Sequence, residues 1–249
     1  MNIFREQGFS AAACDGKTFW VSDNANGCVL AANCGGTLLS QRMAVNAPTG
    51  IAVYGGEIFV ADKLLNLIHV FTDDGRMLKR ELGGPGILQQ PVGIAVNEHY
   101  VYVADSCNHR IAVLDKQTGT VVRSLGKGFG HSEHHMNNPM GVALHKDLVV
   151  VADYGNSRVL VYRDSQPLLA AHGFPYAYDV TVSEEGTVYV ALAVHCCVRK
   201  LRVWEAQGNY GFTLHDESIH VDAYPVCLFI HQNKLHVVTK KNVQTKNLF

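Results

Sequence analysis

The sequence predicts an all-β protein: a six-bladed β-propeller of four-stranded antiparallel blades closed into a ring. Three observations predict it. First, an apolar triplet followed by Ala-Asp recurs at Ile58-Phe59-Val60-Ala61-Asp62, Tyr102-Val103-Ala104-Asp105 and Val149-Val150-Val151-Ala152-Asp153. A looser copy stands at Phe19-Trp20-Val21-Ser22-Asp23, and eroded ones at Val188-Tyr189-Val190-Ala191-Leu192 and Leu235-His236-Val237-Val238-Thr239. The six anchors lie about 40 to 50 residues apart and use up the 249 residues, a period that marks a stacked or radial array. Second, the runs are short, β-branched and aromatic, so they read as strands. Third, Val149-Val150-Val151-Ala152 is apolar on both faces, as a sheet covered on both sides must be. Blades packed face to face around an axis supply that cover, whereas a flat sandwich leaves one face wet. One domain, 1–249, is expected.

Each unit reads as four segments. The first carries Pro-x-Gly at Pro48 to Val53, Pro91 to Val96 and Pro139 to Leu144, and ends in hairpin turns such as Tyr54-Gly55-Gly56-Glu57. The second is the Ala-Asp phrase. The third follows a four-residue turn, at Ile68 to Phe71, Ile111 to Leu114 and Val159 to Tyr162. A further turn, such as Thr72-Asp73-Asp74-Gly75, precedes a more variable fourth strand. Asp-x-x-Asn recurs at Asp23/Asn26, Asp105/Asn108 and Asp153/Asn156, with Arg110 and Arg158 two residues beyond the last two. Asp accepts backbone hydrogen bonds in tight turns and Asn tolerates their left-handed conformation, so the phrase reads as a repeated structural staple. The last repeat runs out at Asn242 to Phe249 without a fourth strand of its own. Arg5-Glu6-Gln7-Gly8 parallels Arg80-Glu81-Leu82-Gly83 and Arg123-Ser124-Leu125-Gly126. Residues Asn2 to Gln7 are therefore expected to complete the last blade and remove its exposed edge.

Composition narrows the function classes. Hydrophobic content of 47% with 17% charged residues is ample for a core. A formal net charge of −1 offers no global field for nucleic acid or an anionic membrane. No apolar run approaches the roughly 18 residues that span a bilayer, and Met1 to Gly8 lacks the apolar stretch of a signal peptide. Seven cysteines form no Cys-x-x-Cys pair, which reads as reduced thiols in a cytoplasmic protein. No nucleophile elbow, phosphate loop or His-Glu-x-x-His is present. Gly130-His131-Ser132-Glu133-His134-His135 offers ligand types suited to zinc or copper. Its spacing matches no closed zinc module, so a solvated loop is expected, with no metal and no cofactor.

Across residues 48 to 162 these motifs resemble the NHL repeat family, whose units read roughly Pro-x-Gly-Ile-Ala-Val, Ile-Tyr-Val-Ala-Asp and Asn-x-Arg-Ile-x-Val-Phe. The resemblance implies a six-bladed propeller and weakens in the last two units. There Asp179 and Cys227 replace Gly, and Leu192 replaces Asp. It also implies three functions to weigh. Peptide-amidating lyases are similar propellers with zinc-binding histidines near the residue after the Pro; here that slot reads Thr49, Val92, Met140, Tyr176 and Val226. Lactonase-like propellers hold an axial cation, for which the inner strands offer Asp179 and little else. The chain is therefore expected not to be an enzyme. RNA-binding members use a basic loop face, and here Lys63, His109, Arg110, Arg158, Lys127, Arg42, Lys240 and Lys241 are diluted by Glu133, Asp216, Glu217 and Asp222. Tyr154 and Phe129 are the few aromatic platforms for bases.

The preferred expectation is a monomeric, membrane-free platform that binds a protein partner through its loop-rich face. Lys63, Leu64, Leu65, His109, Arg110, Tyr154 and Arg158 are the candidate binding residues. Leu64 and Leu65 sit in a turn where the sister repeats carry Ser106-Cys107 and Tyr154-Gly155. They are either an exposed anchor or a cover for the neighbouring blade. Relatives often carry a preceding RING or coiled-coil segment, so a ubiquitin-ligase role would come through a partner or a further segment. Deleting residues 1 to 7 should lower the melting temperature by many degrees; an unchanged melt would refute the closing-strand assignment.

Overall fold

The computed structural model describes residues 8–33, 37–206, 209–240 and 242–248. Blade one comprises β1 (Phe9–Cys14), β2 (Thr18–Asp23), β3 (Cys28–Asn33) and β4 (Leu38–Ala44). Blade two follows as β5 (Pro48–Tyr54), β6 (Glu57–Asp62), β7 (Leu67–Thr72) and β8 (Leu78–Gly83), and blade three as β9 (Pro91–Val96), β10 (Tyr100–Asp105), β11 (Arg110–Asp115) and β12 (Val121–Leu125). Blade four holds β13 (Pro139–His145), β14 (Leu148–Asp153), β15 (Arg158–Arg163) and β16 (Gln166–His172). Blade five holds β17 (Ala177–Val182), β18 (Thr187–Leu192), β19 (Cys197–Ala206) and β20 (Asn209–His220). In blade six, β21 (Pro225–His231), β22 (Lys234–Thr239) and β23 (Val243–Asn247) are described. Every blade is an antiparallel meander in chain order. The expected closing strand, Asn2 to Gln7, lies outside the described residues.

The first strand of each blade is innermost. Each packs on its neighbours around the axis, and β21 meets β1, so the ring closes through its inner strands. Second and third strands are apolar on both faces because blades stack on both sides: β10 and β14 are buried from their second residue onward. Separate apolar clusters fill the gaps between successive blades. The largest joins blade six to blades one and two, with Phe9, Val21, Ile58, Val226 and Val238 among its members. At that seam Phe229 stacks on His236 at 4.7 Å and tilts against Phe19 at 5.7 Å.

The predicted staple is present. Asp23, Asp62, Asp105 and Asp153 are all buried at the ends of their strands. Asp23 accepts from Asn26 of its own turn, and the other three each tie their turn to a neighbouring segment or strand. Asn108 and Asn156 donate to Asp105 and Asp153 Oδ2, both at 2.8 Å, and Arg110 and Arg158 Nε donate at 2.8 and 2.7 Å. The other oxygen accepts a backbone N–H from the segment leading into the blade, Gln89 at 2.6 Å and Asn137 at 2.8 Å. In blade two Asp62 instead takes the N–H groups of Leu64 and Leu65, both at 3.0 Å, and that of Asn46 at 3.0 Å. Such fully bonded carboxylates can be buried, whereas unpaired ones cannot.

The histidine-rich segment is braced rather than merely solvated. Arg158 donates to the carbonyls of His131, Ser132 and His135 at 2.7 to 2.8 Å, and Tyr162 Oη to that of Glu133 at 3.1 Å. At 1% exposure Arg158 is an internal strut and no part of a binding surface, which corrects its placement among the contact residues. Replacing Arg158 with Met leaves Asp153 buried without its cation, and should cost about 3 to 5 kcal/mol in urea unfolding. Arg110→Met, at a more exposed pair, should cost distinctly less.

Candidate interaction face and central tunnel

The turns between second and third strands share one face with the segments leading into the blades, because the two are hydrogen bonded. Lys63 N donates to Ala47 O at 3.0 Å, Gly155 N to Asn137 O at 2.8 Å, and Lys240 N to Tyr224 O at 3.3 Å. This face carries Leu64, Leu65, Phe129, Tyr176, Val194 and Tyr224, all exposed. Leu64, at 71% exposure, does not fold back over the neighbouring blade. Its backbone is pinned by Asp62 while its side chain stands free, so the turn is a rigid mount for an apolar anchor.

The other candidates divide. Lys63 is exposed beside Leu64. Arg110 stays partly exposed but is engaged: besides Asp105 it donates to Ile87 O at 2.7 Å. His109 accepts from Asn138 N at 3.1 Å and lies edge-on to Phe129 at 5.2 Å, with His131 at 5.8 Å from the same ring. Tyr154 forms a cluster with Tyr176 at 5.5 Å and Tyr178 at 6.2 Å. With Arg158 buried and Arg110 paired to Asp105, the face has less free positive charge than its sequence suggested.

A tunnel of about 330 Å³ runs between the inner strands. Its walls are mostly Ala, Val and Ile, and Asp179 is the one charged side chain among the lining residues. Its position follows from a repeated geometry. A Cβ on Gly50 would lie 2.1 Å from Val92 O and 3.1 Å from Ile94 N, and one on Gly93 would lie 2.5 Å from Met140 O and 3.3 Å from Val142 N. These glycines let each inner strand approach the next. Asp179 and Cys227 occupy the same slot, and their side chains bond the equivalent N–H instead. Leu228 N donates to Asp179 Oδ2 at 2.8 Å, and Ala12 N to Cys227 Sγ at 3.3 Å. The seams from blade five to six and from six to one are thus stitched by side chains.

Strand register corrects one alignment. Ala177 pairs with Leu192 as Pro139 pairs with Asp153, so Tyr178, not Tyr176, stands in the slot after the Pro. The register breaks at this slot in both blades, a bulge that aims the side chain. Tyr178 lines the tunnel.

Burial pushes the Asp179 carboxyl up to about 7, against hydrogen bonds from Leu228, Val180 and Cys227 that pull it down. Asp179 is half-buried and lines the tunnel. Burial, and then the Asp179 carboxyl, push the Cys227 thiol well above its usual value, so it stays protonated and unreactive. His236 is lowered to about 4, mainly by burial. Among the described residues no three His, Cys, Asp or Glu side chains come together as a metal site. A second cavity, of about 290 Å³, lies where the long β19–β20 hairpin faces blade four. Arg163 holds it there, pairing with Asp147 at 2.6 Å and lying over the Tyr210 ring at 5.0 Å.

With that geometry in hand, the chain can be compared with known proteins. The NHL repeat matches residues 88–114, which span β9, β10 and β11. The match to the NHL repeat falls on the third blade. This agrees with the resemblance drawn from the sequence, and the six-bladed ring agrees with the fold it implies. No curated protein matches the chain significantly. Among solved structures, virginiamycin B lyase from Staphylococcus aureus is 12% identical, with 97% of this chain and 85% of that one covered and a TM-score of 0.68. A chain of a nidogen/laminin complex is 21% identical, covering 88% and 81%, with a TM-score of 0.67. Hydrazine synthase of Kuenenia stuttgartiensis is 14% identical, covering 99% and 96%, at 0.68. At these identities the likeness is one of fold, which serves enzymes and binding proteins alike. No helix is long and apolar enough to cross a membrane among the described residues.

The two shifted groups give opposite pH slopes. Asp179 binds its proton more tightly when folded, so its stabilising share is full below about 4 and is lost as pH rises toward 7. His236 resists protonation when folded, so stability falls as pH drops from about 6.5 toward 4. Asp179→Asn removes the first slope alone. Its melting temperature should rise relative to wild type between pH 5 and pH 8; parallel profiles would refute the assignment.

Proposed function

We propose that this propeller is a non-enzymatic recognition module that binds a protein partner across its loop-rich face. The observation that carries the reading is the arc of exposed apolar and aromatic side chains on that face, with Leu64 at 71% and Phe129 at 62% exposure on braced turns. Exposed apolar anchors on rigid mounts are what an interface core draws on. The tunnel supports the non-enzymatic part: burial and the adjoining Asp179 carboxyl both hold the Cys227 thiol protonated, so it is not presented as a nucleophile.

Affinity capture with mass spectrometry, with and without nuclease, tests the proposal. A nuclease-resistant protein partner is expected, and the same spectrum reads whether it belongs to a ubiquitin-ligase assembly, as the family resemblance implies. Recovery of RNA alone would replace the proposal with a nucleic-acid reading. Leu64→Ser with Leu65→Ser should weaken capture by about 2 kcal/mol or more while leaving the melting temperature within a few degrees of wild type.

A further inference from the structure

The mouth of the tunnel differs from the rest of the ring in ways the recognition reading does not use. In the slot after the Pro the other blades carry Ser10, Thr49, Val92, Met140 and Val226, all small or flexible; blade five alone carries an aromatic, Tyr178. Immediately before that strand, Tyr176 holds a left-handed φ of 54°, where Gln90 and Asn138 hold 53° and 50° in the sister blades. Asn adopts this conformation readily, but a bulky aromatic does so at a cost. Tyr176 keeps this conformation on the loop-rich face, with its side chain exposed. Tyr154, from the adjoining turn of blade four, completes the group by contacting both rings. Next along the strand comes Asp179, the sole charge of the lining. Tyr176 and Tyr154 on the loop-rich face thus connect through Tyr178 to the tunnel lining that holds Asp179.

We infer that this mouth receives one cationic side chain, an arginine or lysine, from the protein partner, and that its head group passes Tyr176, Tyr154 and Tyr178 to pair with Asp179. The inference rests on the recognition reading and adds what the partner must present. Aromatic faces attract cations, most strongly where water is displaced. The apolar tunnel wall suits the methylene stem of such a side chain. The carboxyl supplies the charge-assisted hydrogen bond that fixes the head. Among the described lining residues Asp179 has no cation beside it, which leaves its charge to be met by a group from outside. The upward displacement of its proton affinity by burial fits a carboxyl lacking a counter-charge.

The test is an NMR titration of the full chain with n-butylguanidinium, set against N-butylurea, its uncharged counterpart. The cation should shift the amides of Val180 and Leu228 and saturate in the millimolar range, with the urea at least tenfold weaker. Asp179→Asn keeps an acceptor for Leu228 N and should weaken the cation about tenfold or more. Tyr154→Ala, which removes a half-buried ring of the cluster, should weaken it severalfold. Equal binding of the urea, undiminished binding by Asp179→Asn, or no response of the tunnel amides to either compound would overturn the inference. A captured partner lost by the Leu64/Leu65 double variant but retained by Asp179→Asn would uphold the interaction face and remove the tunnel from it.

Discussion

The architecture depends on one device: a carboxylate buried at the end of a blade's second strand, saturated by hydrogen bonds from neighbouring segments. Asp62, Asp105 and Asp153 each hold both their own turn and the segment arriving from the previous blade. Without such a tie, the loop-rich face would be a set of independent turns. With it, the turns become a continuous platform whose side chains can be presented at low entropic cost. The candidate anchor Leu64 owes its combination of fixed backbone and free side chain to Asp62.

Where the device erodes, another replaces it. Blade five ends its second strand in Leu192 and blade six in Thr239, which bonds Asn242 instead. These are also the blades in which Asp179 and Cys227 stand in the glycine slot and stitch the seams. The same half of the ring carries the tyrosine-lined mouth and the long β19–β20 hairpin held down by Arg163. Regular geometry in blades two to four thus gives way to individual chemistry in blades five and six.

Much of this could be read from residue types alone. The strands of blades two to four emerge from β-branched runs and glycine-bearing turns, with β9 running from Pro91 to Val96 as expected. The staple emerges from Asp-x-x-Asn because its partners are local. What escaped reading depends on distant chain. Arg110 and Arg158 share one sequence spacing, but Arg158 is sealed by the segment around His131 and Arg110 stays partly open. Tyr178 was hidden because Pro175 mimics the start of an inner strand, while pairing with Leu192 gives that place to Ala177. Asp179 and Cys227 were visible as departures from glycine; only the approach of neighbouring strands shows that they bridge seams.

The contrast between glycine-lined and side-chain-stitched seams makes the ring mechanically uneven. Blades two to four abut through backbone that no rotamer change can loosen. The seam between blades five and six relies on a carboxyl whose ionisation alters the bond that closes it. Amide exchange in mildly alkaline solution would therefore advance first along β17 and β21. The wheel has a preferred place to breathe, on the same side as the mouth through which a partner would reach its axis.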